Sequence, residues 1–289
     1  MIVSRDPTEL PPAERAVAIG TFDGVHRGHW AVLEAAKATG LRSAVVTFHP
    51  HPREVLGYEV SLLSTFERRL ELIEALGPDD ILVVEFTIEL SRLEPEQFAR
   101  EVLEPIGTRI VLAGENFRFG RGRSGDTELL RRLGFDVRAV PLVEGVSSSR
   151  IREALRSGDV PAAARMLGRP AELEGLVISG DARGVRLGYP TANLAVQPSL
   201  LVPAHGIYAG WALGHRAAIS IGVHPHYGGH ERRIEAFLLD FEGDLYGDEV
   251  RVELWKRIRD ERAFGSEQEL VAQIAQDVEE TRGAARPGS

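Results

Sequence analysis

The sequence contains no cysteine, which removes disulfide bonds, thiolate metal sites and a cysteine nucleophile from consideration. It lacks any apolar run long enough to span a membrane, and its opening residues, MIVSRDPTELPPAER, lack the basic-then-apolar order of a secretory leader. The expected address is the cytoplasm, with no membrane partner. Basic residues are not in excess either: 34 Lys and Arg stand against 43 Asp and Glu, for a formal charge of -9. No overall positive field draws in a long nucleic acid, so a bound nucleotide is a small one, held by backbone N–H groups, helix N-termini and a few arginines. What is present is the composition of a folded chain, 43% hydrophobic and 27% charged over 289 residues, enough for two domains.

From Arg15 the pattern reads as strand AVAIG, turn TFDGVHRGH, helix WAVLEAAKATG and strand SAVVTF, a parallel βαβ unit. A helix in FERRLELIEAL, a strand in DILVVEF, a helix around PEQFAREVLEPI and a strand in RIVLAG follow. After GENFRFGRGRSGD come a helix in TELLRRLG, a strand in DVRAVPLV, and a helical stretch from Ser149 through Arg156 that continues in AAARMLG. This alternation predicts an α/β sheet with helices on both faces, closing near Leu167. From Gly168 the texture changes to the short β-like runs LEGLVIS, GIYAGWAL, RAAISIGV, RIEAFLLDF and EVRVELWKRI, which predict a compact β-barrel. In SEQELVAQIAQDVEETR, Ser266 and Glu269 form a capping-box pattern at the start of a terminal helix.

The segment Gly20 to His29, GTFDGVHRGH, joins a strand end to a helix start and carries two histidines. Its glycines, Gly20 and Gly28 among them, let backbone approach a ligand. A phosphate meets the helix N-terminus there while His26 and His29 donate hydrogen bonds to it, with Phe22 and Asp23 in the same turn. The competing reading is a histidine pair that only caps the helix. In VSSSRIREAL, Ser148 and Ser149 offer hydroxyls and Arg152 a guanidinium to further phosphates; the competing reading is a serine-capped helix with solvated arginines. In SGDARGVRLGYPTANL, Gly180, Gly184, Gly188 and Arg186 lie in a loop able to wrap phosphates, though without the G-K-[ST] ending of a Walker A loop. Thr191 and Asn193 supply hard oxygen donors suited to Mg²⁺ beside nucleotide phosphates. His224, His226 and His230 are read as a polar loop rather than a metal site.

The first segment resembles the H-x-G-H signature of the nucleotidyltransferase superfamily, which gives a reaction type but no substrate. The second resembles that superfamily's S-S-T-x-I-R motif, with Ser149 where threonine is common. FDGVHRGH, TFHPHPREVL, GENFRFGRGRSGD and SSSRIREAL then follow one another as in the bacterial bifunctional riboflavin kinase and FAD synthetase family, and PTAN is similar to the riboflavin kinase motif. The resemblance implies an N-terminal doubly wound, Rossmann-like nucleotidyltransferase domain (1–167) and a C-terminal six-stranded β-barrel kinase domain (168–289) with a terminal helix. It implies ATP- and Mg²⁺-dependent conversion of riboflavin to FMN in the barrel and of FMN to FAD in the first domain. It adds Asn116 and Asp126 to the adenylyl site, makes Thr191 and Asn193 the metal ligands, and makes Glu235 the general base. In HPHPRE, alternate prolines put His49 and His51 on opposite sides of an extended backbone, so a flavin- or phosphate-facing loop is preferred to a metal site. Pro225, His226 and Tyr227 depart from the family's P-T-F loop. The expected state is a monomer or weak homo-oligomer. A flavin-storage protein is the rival of another class, and Thr191, Asn193 and Glu235 speak against it, since storage needs neither metal ligands nor a base.

Overall fold

A computed structural model describes residues 1–179, 187–226 and 229–287, and among these the side chains of all but 223–226 and 229–232. Gly180, Gly184 and Arg186 lie outside the described residues, as do Tyr227 and the side chains of His224, Pro225, His226 and His230. The chain divides into two compact units, one of residues 1–60 and 66–146, the other of 61–65 and 147–289.

The first unit is built on a six-stranded parallel sheet of order β1-β4-β3-β2-β5-β6. Its strands are β1 (Ile2–Ser4), β2 (Arg15–Ile19), β3 (Arg42–His49), β4 (Asp80–Glu85), β5 (Thr108–Gly114) and β6 (Asp136–Val140). The helices are α1 (Arg27–Lys37), α2 (Pro52–Val55), α3 (Phe66–Ala75), α4 (Ile88–Ser91), α5 (Pro95–Phe98) and α6 (Thr127–Arg132), with one π-helical turn after α5. Strands β2 to β5 are near-continuous apolar runs because both sheet faces are covered. Ala16, Ala18, Val45, Ile81 and Leu112 face Leu33 of α1 and Ile73 of α3, while Val17, Ile19, Val46, Leu82 and Val111 face Phe98, Leu103 and Leu130. Each large side chain so buried contributes roughly 1.5–3 kcal/mol. The expected doubly wound architecture is what forms. The chain passes from β2 to β3 and β4 on one side and to β5 and β6 on the other, so the carboxyl ends of β2 and β5 border the switch point where ligands of such sheets bind. At the amino ends, buried Arg15 and partly exposed Arg42 both bond buried Asp80, at 2.8 and 2.6 Å.

The second unit is a closed antiparallel barrel of order β10-β11-β8-β7-β12-β9. The strands are β7 (Ala171–Ile178), β8 (Ala192–Val196), β9 (Gly206–Ala212), β10 (His215–His226), β11 (Gly229–Leu238) and β12 (Glu249–Arg259). Its core holds Leu173, Val177, Tyr208, Ile219, Ile234 and Val252, and also Ile151 and Leu155 of α7 (Ser148–Ser157) and Val160 and Leu167 of α8 (Val160–Leu167). The helices α7 and α8 thus pack with the barrel. Segment 61–65 joins the same unit: Leu62 N–H donates to Ser199 O at 2.8 Å, and Arg152 Nε donates to Ser61 O at 2.7 Å. The terminal helix α9 (Glu267–Gly283) begins as expected, with Ser266 Oγ accepting the Glu269 N–H; the Glu269 carboxylate accepts from Gly265 N–H rather than closing the box on Ser266.

Candidate functional site

In the first unit the turn after β2 is held from beneath. Thr21 O accepts from Arg69 Nη1 at 2.9 Å and from the Thr47 hydroxyl at 3.3 Å, and Trp30 Nε1 donates to Val25 O at 2.9 Å. Phe22 and Val25 sit at φ of 52° and 38°, with Gly24 between them at 79°. Positive φ at a buried aromatic and a β-branched residue stores strain, which such turns keep at sites of function. Asp23 is buried in this turn.

His26 is the N-cap of α1. Its Nδ1 accepts the His29 N–H at 3.3 Å, and His29 Nδ1 accepts the His26 N–H at 3.2 Å, a capping box made of two imidazoles. The rings stack at 3.7 Å and 11°. An accepting Nδ1 leaves the ring proton on Nε2, so capping and donation use different atoms of one ring. The two readings of the motif are therefore compatible. Gly28 leaves room for the stack, since a Cβ there would lie 3.0 Å from His26 Cε1. Gly20 continues β2, donating to Val46 O at 3.1 Å.

Asn116 is exposed just beyond β5, with its Oδ1 near Gly114. Asp126 caps α6, accepting the Leu129 N–H at 3.0 Å; that bond holds its carboxyl below the ordinary range. His49 stacks on Phe66 at 3.9 Å, and burial, reinforced by Arg69, lowers its pKa. His51 caps α2 through Nδ1, accepting from Arg53 N–H. These histidines do separate jobs. Sequence reasoning passed over Arg69, 4% exposed, which ties Thr21 O to Phe48 O and so joins the ends of β2 and β3. Its signal was a cation in the apolar half of an amphipathic helix.

In the second unit, Ser147 rather than a later serine caps α7, accepting the Arg150 N–H at 3.2 Å. Ser148 and Ser149 then occupy the first turn, and Arg152 lies one turn on. On the barrel, Asn193 of β8 pairs with Glu235 of β11. Alternation buries Ile234, Ala236 and Leu238, leaving Arg233, Glu235 and Phe237 on the outer face. Thr191 Oγ1 donates to Glu235 Oε1 at 3.2 Å; Arg233 Nε donates to Asn193 Oδ1 and Nη2 pairs with Glu235 Oε1, both at 3.1 Å. Tyr189 packs edge-on against Phe237, with Gly188 beside it at φ 84°. Thr191, Asn193 and Glu235 are thus brought together, and Arg233 completes the cluster. Two neutral oxygens beside a carboxylate suit a hard divalent cation that keeps phosphate and water ligands. Among the described residues, no group of three or more His, Asp and Glu forms a metal cluster.

A family model described as FAD synthetase matches residues 9–153, and one described as riboflavin kinase matches residues 167–285. A Bacillus subtilis (strain 168) protein named bifunctional riboflavin kinase/FMN adenylyltransferase is 36% identical over 291 residues, covering 93% of this chain and 92% of its own. The protein of that name from Escherichia coli (strain K12) is 34% identical over 290 residues, covering 93% and 92%. A solved structure titled as a macrolide-efflux protein from Streptococcus pneumoniae superimposes with a TM-score of 0.88 at 30% identity, covering 97% of this chain and 98% of that one. Among this chain's described residues, no helix is long and apolar enough to cross a membrane.

Proposed function

Because the chain belongs to the bifunctional riboflavin kinase/FMN adenylyltransferase family, we propose that its two reactions are carried by two separate residue sets. It phosphorylates riboflavin to FMN and adenylylates FMN to FAD, using ATP and a divalent metal.

For the kinase step, Glu235 accepts the proton of the ribityl 5′-hydroxyl as that oxygen attacks the γ-phosphate of ATP. Thr191 Oγ1 and Asn193 Oδ1 hold the metal, which we take to be Mg²⁺; when bound it neutralises charge on the phosphates. Gly180, Gly184, Arg186 and Gly188 are assigned to binding the flavin and nucleotide phosphates on the motif they resemble. The observation that carries this reading is the Thr191 hydroxyl donating to Glu235, which puts the base beside a metal donor.

For the adenylyl step, the FMN phosphate attacks the α-phosphate of ATP and pyrophosphate leaves. His26 and His29 donate from Nε2 to the oxygens that gain charge, and the α1 N-terminus adds its partial positive charge. Gly20, Phe22, Asp23, Gly28, Asn116 and Asp126 shape the nucleotide and flavin side. Ser148, Ser149 and Arg152 are assigned to the same reaction on the motif they resemble. We assign residues 1–167 to this activity and 168–289 to the kinase, and we read the protein as cytoplasmic and as a monomer or weak homo-oligomer.

The test is product analysis after incubation with riboflavin, ATP and Mg²⁺. FMN followed by FAD, with one pyrophosphate per FAD, is expected; bound riboflavin with no ATP consumed would favour the storage reading.

A further inference from the structure

The kinase cluster contains a cation of its own. The Arg233 guanidinium reaches Asn193 Oδ1 with Nε and Glu235 Oε1 with Nη2, both at 3.1 Å, while Glu235 Oε1 also accepts from Thr191 Oγ1. Two of these oxygens, from Thr191 and Asn193, are the metal donors of the reading above, and the third is the base beside them. Strand β11 fixes this arrangement, because residues 233 and 235 share one face and Glu235 is in register with Asn193. About a quarter of each side chain in the Arg233–Glu235 pair is exposed, so the guanidinium has room to leave.

A unit positive charge within hydrogen-bond distance of Asn193 Oδ1 opposes a divalent cation approaching that oxygen, and the lone pair given to Arg233 N–H is not given to the metal. We infer that Arg233, while paired with the base Glu235, competes with the divalent cation for Asn193, and so sets how much metal the riboflavin kinase step requires. The inference rests on the kinase reading of this cluster. Arg233 acts through the metal donors and the base, as a positioning residue. When the cation takes Asn193, Arg233 gives up that bond, and the kinase site is assembled by exchanging one cation for another. The adenylyl step, which does not use this cluster, keeps its own metal requirement.

The test is a Mn²⁺ titration of the full-length protein with ADP present, read by loss of the free-ion electron paramagnetic resonance signal. The Thr191→Ala/Asn193→Ala variant isolates the share of binding that belongs to the kinase cluster. Arg233→Gln is expected to tighten that share by roughly tenfold, the size expected from removing one charge about 5 Å from a divalent ion in a solvated site. Arg233→Lys, which retains the charge, is expected to stay within about twofold of wild type. In parallel, the Mg²⁺ concentration giving half-maximal FMN formation falls in Arg233→Gln, and that for FAD formation from supplied FMN does not move. If Arg233→Gln leaves Mn²⁺ binding unchanged or weakens it, as it would if the guanidinium gripped nucleotide phosphate, the inference is overturned while the metal-donor reading survives. If Thr191→Ala/Asn193→Ala binds as much Mn²⁺ as wild type, the metal-donor reading itself fails and the inference with it.

Discussion

At the scale of single residues, the H-x-G-H turn does two things with one pair of rings. Nδ1 of each histidine closes the helix cap and Nε2 carries the proton. Substitution can separate these. Asparagine is a good N-cap, so His26→Asn should keep the melting temperature within about 2 °C of wild type. Its shorter amide does not replace the Nε2 donor beyond the cap, however, so FAD formation from FMN should fall on the order of 10²-fold. Unchanged FAD formation in His26→Asn would show that His26 is a cap alone. Gly28→Ala tests the stack itself. Its Cβ meets the His26 ring at 3.0 Å, so the ring must shift by a few tenths of an ångström, and adenylylation should drop several-fold with little change in riboflavin phosphorylation. A Gly28→Ala enzyme with unchanged FAD formation would remove the stack from the account. Both histidines, Thr191, Asn193 and Glu235 were legible because each sits in a short contiguous pattern. Arg69 and Arg233 were not, since their importance comes from carbonyls and oxygens contributed by distant strands.

At the scale of elements, the strands that could be read were those that bury both faces or bury one in clear alternation. β2 to β5 carry unbroken apolar runs, and the period-two strands β7 and β9 to β12 alternate clearly. β1 escaped because it is three residues long, lies at the sheet edge and leaves Ile2 and Val3 exposed. β8 escaped because its first residues belong to PTAN, read for chemistry, and Leu194 is its one buried position. The end of the sheet opposite the site makes its own prediction. Burial raises the Asp80 carboxyl, but hydrogen bonds from Arg42 and Arg15 outweigh it and hold the group below the ordinary carboxylate range. A depressed carboxyl contributes stability that is complete above the unfolded value, near pH 4, and is lost as pH falls through the folded one. The N-terminal unit should therefore lose stability in acid. Asp80→Asn, which leaves Arg15 buried and uncompensated, should cost about 3–5 kcal/mol at neutral pH and flatten that acid limb in denaturant titrations. A cost under about 1 kcal/mol would mean that the arginines find other partners.

At the scale of the molecule, the expected order of an α/β domain and then a barrel is what forms, and packing places residues 147–167 with the barrel. The helical stretch before Gly168 reads as a continuation of the βα alternation, and only tertiary structure reveals which core receives it. Ile151, Leu155, Val160, Ala163 and Leu167 enter the barrel core. A fragment of residues 147–289 should thus be more stable than one of 168–289, which exposes the surface those five residues cover; at roughly 1.5–3 kcal/mol per large side chain, the shorter fragment is expected to be marginal or unfolded. Equal melting temperatures would place the helices outside the barrel's stability. The central claim, two reactions on two residue sets, is met most directly by one crossed measurement: flavin chromatography after incubating wild type, His29→Ala and Glu235→Gln with ATP, Mg²⁺ and either riboflavin or FMN. His29→Ala should stop at FMN, and Glu235→Gln should leave riboflavin unconverted yet turn supplied FMN into FAD. Loss of both steps in either variant would contradict the claim.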